Sequence, residues 1–220
     1  MTSQQRILAQ KQRYITQCKL FHLNEETSYG LGGLVNYVSD DDCPLYDPTL
    51  PPLFVIDHTE RLRPFFVEFV AVVRKLVLQT LPHDTPVWCI FNRPGPDGAA
   101  PNASDCTTFP NHLAFLSYIE SMQFDPPTPP LSVLDVLQAL PYTDLADQPC
   151  LIFHFPVDAN GLFPSNDCGT IVDCLRELFS DKSLYFVYKV TDAVARECLA
   201  FAPHCEHVNK FLLGPMFFPP

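Results

Sequence analysis

Few side chains in this sequence sit at spacings that could do chemistry. Asp57-His58 sets a carboxylate beside an imidazole, the materials of a general acid and base. Such a pair works only when both side chains converge on one proton, and neighbours on a loop usually point apart, so catalysis there is not expected. His204-Cys205-Glu206-His207 offers metal-ligating types, but no second half lies at finger-like spacing, and zinc is not expected either. Tyr29-Gly30-Leu31-Gly32-Gly33 has the glycines of a phosphate loop without a strand before it or a lysine after it, which reads as linker. Asn102-Ala103-Ser104 is a glycosylation sequon that matters only after secretion. With no GxSxG, no HExxH and no Cys/His pair at nucleophile spacing, the chain reads as non-enzymatic.

Composition narrows the class. The chain has 220 residues, 47% of them hydrophobic and 18% charged, which is enough to bury a full core and excludes disorder over most of the length. The net charge of −11 is uneven. Residues 1–23 hold Arg6, Lys11, Arg13 and Lys19 and no acid, leaving ten bases against 25 acids beyond them. So acidic a body repels phosphate backbones, which argues against direct nucleic-acid binding and leaves a basic partner or plain solubility to explain the charge. The nine cysteines lack CxxC spacing and read as free thiols in a reducing compartment. Residues 1–23 lack the apolar core of a signal peptide, and the longest apolar stretch, Leu62 to Leu81, is broken by Arg63, Glu68, Arg74 and Lys75, so no membrane span is expected. Pro, at 23 residues, is about twice the usual share and Gly, at 8, about half, so the turns should be stiff.

The elements that must position these residues follow from periodicity. Residues 1–50 form an opening extension, partly helical or flexible, and residues 216–220 an apolar tail, with one domain over 51–215 between them. Leu53 to Ile56 is a continuous apolar run suited to a strand buried on both faces, and it ends at Asp57. Leu62 to Leu81 carries the stripe of an amphipathic helix, with Pro64 in its first turn. Val87 to Phe91, Cys150 to Phe155, Leu184 to Val190 and His207 to Leu213 read as further strands, with Asp105 to Phe109 as a short edge strand. Asn111 to Met122, Leu131 to Leu140, Thr170 to Ser180 and Asp192 to Ala202 read as helices. The alternation predicts an α/β fold: a doubly wound, mostly parallel central sheet with helices on both faces. Ligand crevices in such sheets open beyond the carboxyl ends of the central strands, and Asp57, Thr59, Thr128 and Asp158 all fall in loops at that edge.

A strand ending in an acid with a hydroxyl two residues on, a threonine ahead of a later helix and an acid after another strand together resemble the metal-ion-dependent adhesion site of von Willebrand factor type A domains. In this sequence these are Asp57, Thr59, Thr128 and Asp158, but Arg61 stands where the family places a second hydroxyl. A divalent cation wants about six oxygens, and a guanidinium among them opposes it by charge, so no metal is expected. Asp57 and Thr59 are instead expected to cap the following helix or pair with Arg61. Phe54 to Phe66, Ile90-Phe91-Asn92, Phe115 to Phe124, Cys168-Gly169-Thr170 and Leu184 to Val187 further resemble the Mediator subunit 25 branch of that family, over roughly residues 53–213. The opening fifty residues have no counterpart there, and the chain stops short of that branch's activator-binding domain.

The resemblance implies a nuclear docking domain whose partners are other protein subunits of the Mediator coactivator, which links transcription factors to RNA polymerase II. The alternative it leaves is a type A domain that binds its ligand through Mg or Mn. Apolar loops are the expected contacts: Phe155-Pro156 with Leu162-Phe163, and Phe217-Phe218 in the tail, as an exposed patch or folded back over the sheet edge.

Overall fold

The continuous apolar runs become strands of one sheet. In the computed structural model, which describes residues 50–81, 84–94, 105–146, 148–180, 183–201, 204 and 211–216, β1 (Pro52–Asp57) has every side chain buried. The same is true of β4 (Leu151–Phe155) and β5 (Leu184–Lys189). β2 (Val87–Asn92), β3 (Cys106–Phe109) and β6 (Phe211–Met216) complete a six-stranded sheet in the order β3-β2-β1-β4-β5-β6. β2, β1, β4, β5 and β6 run parallel and only β3, at the edge, is antiparallel.

Side-chain alternation separates two covered faces. Phe54 is paired with Phe153 and Phe153 with Phe186, so these rings share a face, continued two residues on by Phe155 and Tyr188. Two helices cover it: α1 (Phe66–Thr80), whose Phe69 meets Phe155 edge-on at 5.4 Å, and α2 (His112–Glu120), whose Phe115 lies 4.7 Å from Phe54. On the opposite face Val55 and His154 line a small cavity together with Leu131, just ahead of α3 (Val133–Ala139), and α3 packs against α4 (Cys168–Ser180). α5 (Asp192–Phe201) packs against β5. Burial of strands on both faces is why they read as unbroken apolar runs rather than alternating ones.

Local chemistry sets the helix ends. The expected start of α1 at Leu62 is a 3-10 turn, Glu60–Phe65, with Pro64 inside it, and the α-helix proper begins at Phe66. Proline has no N–H to give to an α-helical bond, so the turn stays tight until it is passed. Asn111 caps α2 by accepting from Ala114 N at 2.9 Å, and Ser132 with Asp135 forms a reciprocal capping box on α3. Met216, placed in the tail by sequence, is the last residue of β6. The opening segment 1–49, the loop with Asn102, Cys205 to His207 and the tail residues Phe217 and Phe218 lie outside the described residues.

Candidate functional site at the carboxyl edge

β1 and β4 are neighbours whose crossovers depart in opposite directions, so the carboxyl ends of these two strands flank the topological switch point. Three segments meet there. The first is the turn after β1. The second is the loop 121–132, stitched to that turn by Glu60 N donating to Asp125 O at 2.9 Å and Asp125 N donating to His58 O at 3.0 Å. The third is the loop after β4, where Asp158 Oδ1 accepts from Asn160 N at 2.9 Å. Pro126, Pro127, Pro129 and Pro130 flank Thr128 and fix its backbone.

Asp57, Thr59, Thr128 and Asp158 do come together, and Arg61 sits among them. Thr59 Oγ1 donates to Asp57 Oδ1 at 2.6 Å, and Thr59 N donates to the same oxygen at 3.1 Å. Arg61 N and Nε both approach Thr59 Oγ1, at 3.4 and 3.3 Å. The far end of the guanidinium donates through Nη1 to Asp158 Oδ2 at 2.7 Å and through Nη2 to the Thr128 carbonyl, while Nη2 stands 3.4 Å from Asp57 Oδ2. That last approach is an ion pair without hydrogen-bond alignment, since Asp57 Oδ2 has no hydrogen-bond partner. Thr128 Oγ1 turns away to Asn92 Oδ1 at 3.4 Å.

The electrostatics follow from burial. Asp57 is only 3% exposed, and desolvation holds its carboxyl above the usual range despite the opposing pull of Thr59 and Arg61. Arg61 is therefore the counter-charge of a carboxylate that water does not reach. A divalent cation does not fit this donor set. Thr59 Oγ1 already uses its one proton and both acceptor sites, and the guanidinium lies between the two acids that would have to bind the ion. Among the described residues, no three His, Cys, Asp or Glu side chains group in a way that could hold a metal.

His58 does not pair with Asp57. Its Nδ1 lies 2.9 Å from Asp125 Oδ2 and its Nε2 3.2 Å from Tyr118 Oη, with Phe91 meeting the ring edge-on at 5.2 Å. Burial holds the imidazole below its ordinary range, opposed by the Asp125 carboxylate. The neutral ring then carries its proton on Nδ1 towards Asp125 and accepts at Nε2 from Tyr118. Burial raises the Tyr118 phenol, so it is not an activated nucleophile. The triplet ties β1 to α2 and to the loop of Thr128. Sequence reasoning did not find Tyr118, Asp125 or Asn92, because each joins the site through a contact across 36 to 67 positions that no local spacing announces.

Of the two arrangements expected for the apolar loop, it takes the folded-back one rather than the exposed patch. Phe155, Pro156, Leu162 and Phe163 are all buried: Phe155 stacks on Tyr188 at 4.4 Å, and Phe163 stacks on Phe201 at 4.3 Å. The loop has folded back over the sheet edge because each ring finds an aromatic partner there. Among the described residues, the large apolar side chains that are exposed lie elsewhere: Val67 and Leu78 on α1, Leu113 on α2, and Tyr142. Compared with known families and curated proteins, the chain matches no family model and no curated protein.

Proposed function

We propose that this chain is a non-enzymatic, metal-independent docking domain of the von Willebrand type A kind, serving as a subunit of the nuclear Mediator coactivator. The observation that carries the metal-independent part is Arg61, whose guanidinium spans Asp57, Asp158 and the Thr128 carbonyl and fills the crevice a type A domain would use for a cation. The strand order, with one antiparallel edge strand beside β2, supports the type A reading at the level of architecture. The Mediator assignment is supported by the sequence resemblance over residues 53–213.

The acidic body and the exposed apolar side chains of α1 and α2 suit protein contact. Val67 and Leu78 are eleven positions apart and fall on one helical stripe, with Arg74 between them paired to Glu120 of α2. Leu113, seven positions before Glu120, stands on the matching stripe of α2. Affinity purification of the full chain from nuclear extract tests the assignment. Mediator subunits are expected in the eluate, and an eluate without them would remove it.

A further inference from the structure

The loop that fastens Thr128 in the crevice leaves its prolines in solvent. Its sequence, Asp125-Pro126-Pro127-Thr128-Pro129-Pro130-Leu131, contains proline-x-x-proline twice, as Pro126 with Pro129 and Pro127 with Pro130. A proline fixes its own φ at about −65° and drives the residue before it into the extended region. Each residue from Asp125 to Pro130 is under one of these constraints or both, which makes the segment a short polyproline II helix with about three residues per turn. Its exposure repeats at that interval. Asp125, Thr128 and Leu131 form an inner edge: Asp125 Oδ2 meets His58 Nδ1 at 2.9 Å, Thr128 gives its carbonyl to Arg61 and its hydroxyl to Asn92, and Leu131 is buried. Between them Pro126, Pro127 and Pro129 are exposed and Pro130 is half-buried.

We propose that this segment is a docking ridge for a partner protein that reads polyproline II helices through an aromatic-lined groove. With three residues per turn such a helix is a triangular prism, and its readers grip two edges while the third points away. Here the third edge, 125-128-131, is the one that fastens the segment to the body, and the two proline edges are left to the partner. The backbone is available as well. The carbonyls of Pro126, Pro127 and Pro129 accept no hydrogen bond from the described residues, whereas that of Thr128 does. Tyrosine and tryptophan side chains in a groove carry the O–H and N–H donors for such acceptors. The ridge is also held in place before any partner arrives. Asp125 N donates to His58 O at 3.0 Å at one end, and Ser132 N donates to Asp135 Oδ2 at 2.8 Å at the other. A segment fixed in its bound shape has little ordering entropy left to lose on binding. Spacing alone does not make the site: Pro48 and Pro51 repeat it, but Leu50 and Pro52, on either side of Pro51, are buried. The proposal does not rest on the Mediator reading, since the rings and carbonyls of this segment select the partner by themselves.

The test uses the full chain, with a panel of isolated SH3, WW and EVH1 domains as probes and biolayer interferometry as the readout. At least one domain is expected to bind the parent. Pro126→Ala with Pro129→Ala, both at exposed positions, should weaken that binding at least tenfold. Replacing an aromatic residue of the domain's groove by alanine should weaken it as much. A synthetic peptide of residues 123–132 gives a readout that does not depend on folding: it should displace the domain from the parent, and the peptide with both alanines should need at least tenfold more. A panel in which no domain binds, binding that the alanine pair or the loss of the groove aromatic leaves unchanged, or a peptide that does not compete would each overturn the proposal.

Discussion

Arg61 Nη1 donates to Asp158 Oδ2 at 2.7 Å across 97 positions of sequence, and so ties the turn after β1 to the loop after β4. The same guanidinium neutralises Asp57 from the side that Thr59 leaves open. Removing it should therefore expose two faults at once: a buried carboxylate without a counter-charge and two crevice loops without a clasp. Arg61→Ala is expected to cost about 3 kcal/mol at pH 7.5, the low end for breaking a buried pair because Asp158 is partly solvated. Arg61→Lys should restore less than half, since an ammonium cannot reach three acceptors with a planar fork. Asp57 already has a raised folded pKa, and Arg61 acts to lower it, so the alanine variant should take up a proton at higher pH than the parent. Its deficit should accordingly shrink on acidification to pH 5, because protonation of the folded carboxyl favours the folded state. Urea denaturation at the two pH values checks this, and a deficit that is the same at both would show that Asp57 does not sense Arg61.

Metal behaviour offers a separate check. In the parent, millimolar Mg or Mn should leave the midpoint of thermal unfolding unchanged and give no heat of binding, because the guanidinium holds the place of the ion. Arg61→Ser removes the cation and adds a hydroxyl beside Asp57, Thr59, Thr128 and Asp158, so Mn should then raise the midpoint in a concentration-dependent way. Calorimetry on both proteins decides it. Binding heat in the parent would revive the metal-dependent reading.

Exposed apolar residues on α1 and α2 make the third prediction. Val67→Asp with Leu113→Asp changes two side chains that are 76% and 63% exposed, so stability should move by less than about 0.5 kcal/mol. Recovery of partner subunits from extract should fall at least fivefold. Unchanged recovery would move the docking surface off these helices.

How far the sequence leads can be judged at particular residues. β1, β4 and β5 were legible because strands buried on both faces must be apolar throughout, and the run from Leu53 to Ile56 admits little else. The crevice acids were legible because the carboxyl edge follows from the alternation of elements. The position of Arg61 among them was legible only through the type A resemblance, which places a hydroxyl there. His58 was not, because its partners Asp125 and Tyr118 come from a loop and a helix that only the tertiary fold brings to it. For Phe155 and Phe163 the sequence left exposure and fold-back open, because the stacking partners that decide it, Tyr188 and Phe201, lie 33 and 38 positions on.

His154 gives the sharpest dependence on pH. It is fully buried in the middle of the sheet, its Nδ1 lies 2.9 Å from Tyr185 Oη, and desolvation pushes its pKa down to about 3. An unfolded histidine titrates near 6.5, so below that pH the unfolded chain binds a proton that the folded chain refuses. The stability held above pH 6.5 is thus lost as pH falls towards 3, at up to about 1.4 kcal/mol per pH unit from this residue. His58, also held below its ordinary range, adds to the loss near the top of that window, whereas Asp57, held above its range, opposes it lower down. His154→Gln keeps a polar partner for Tyr185 but cannot titrate. Its unfolding free energy should fall less steeply than the parent's between pH 6 and pH 4.5, by about one proton's worth of slope, whatever it loses at pH 7.5. Urea denaturation across that range measures both slopes, and parallel curves for the two proteins would mean that His154 is protonated in the folded chain.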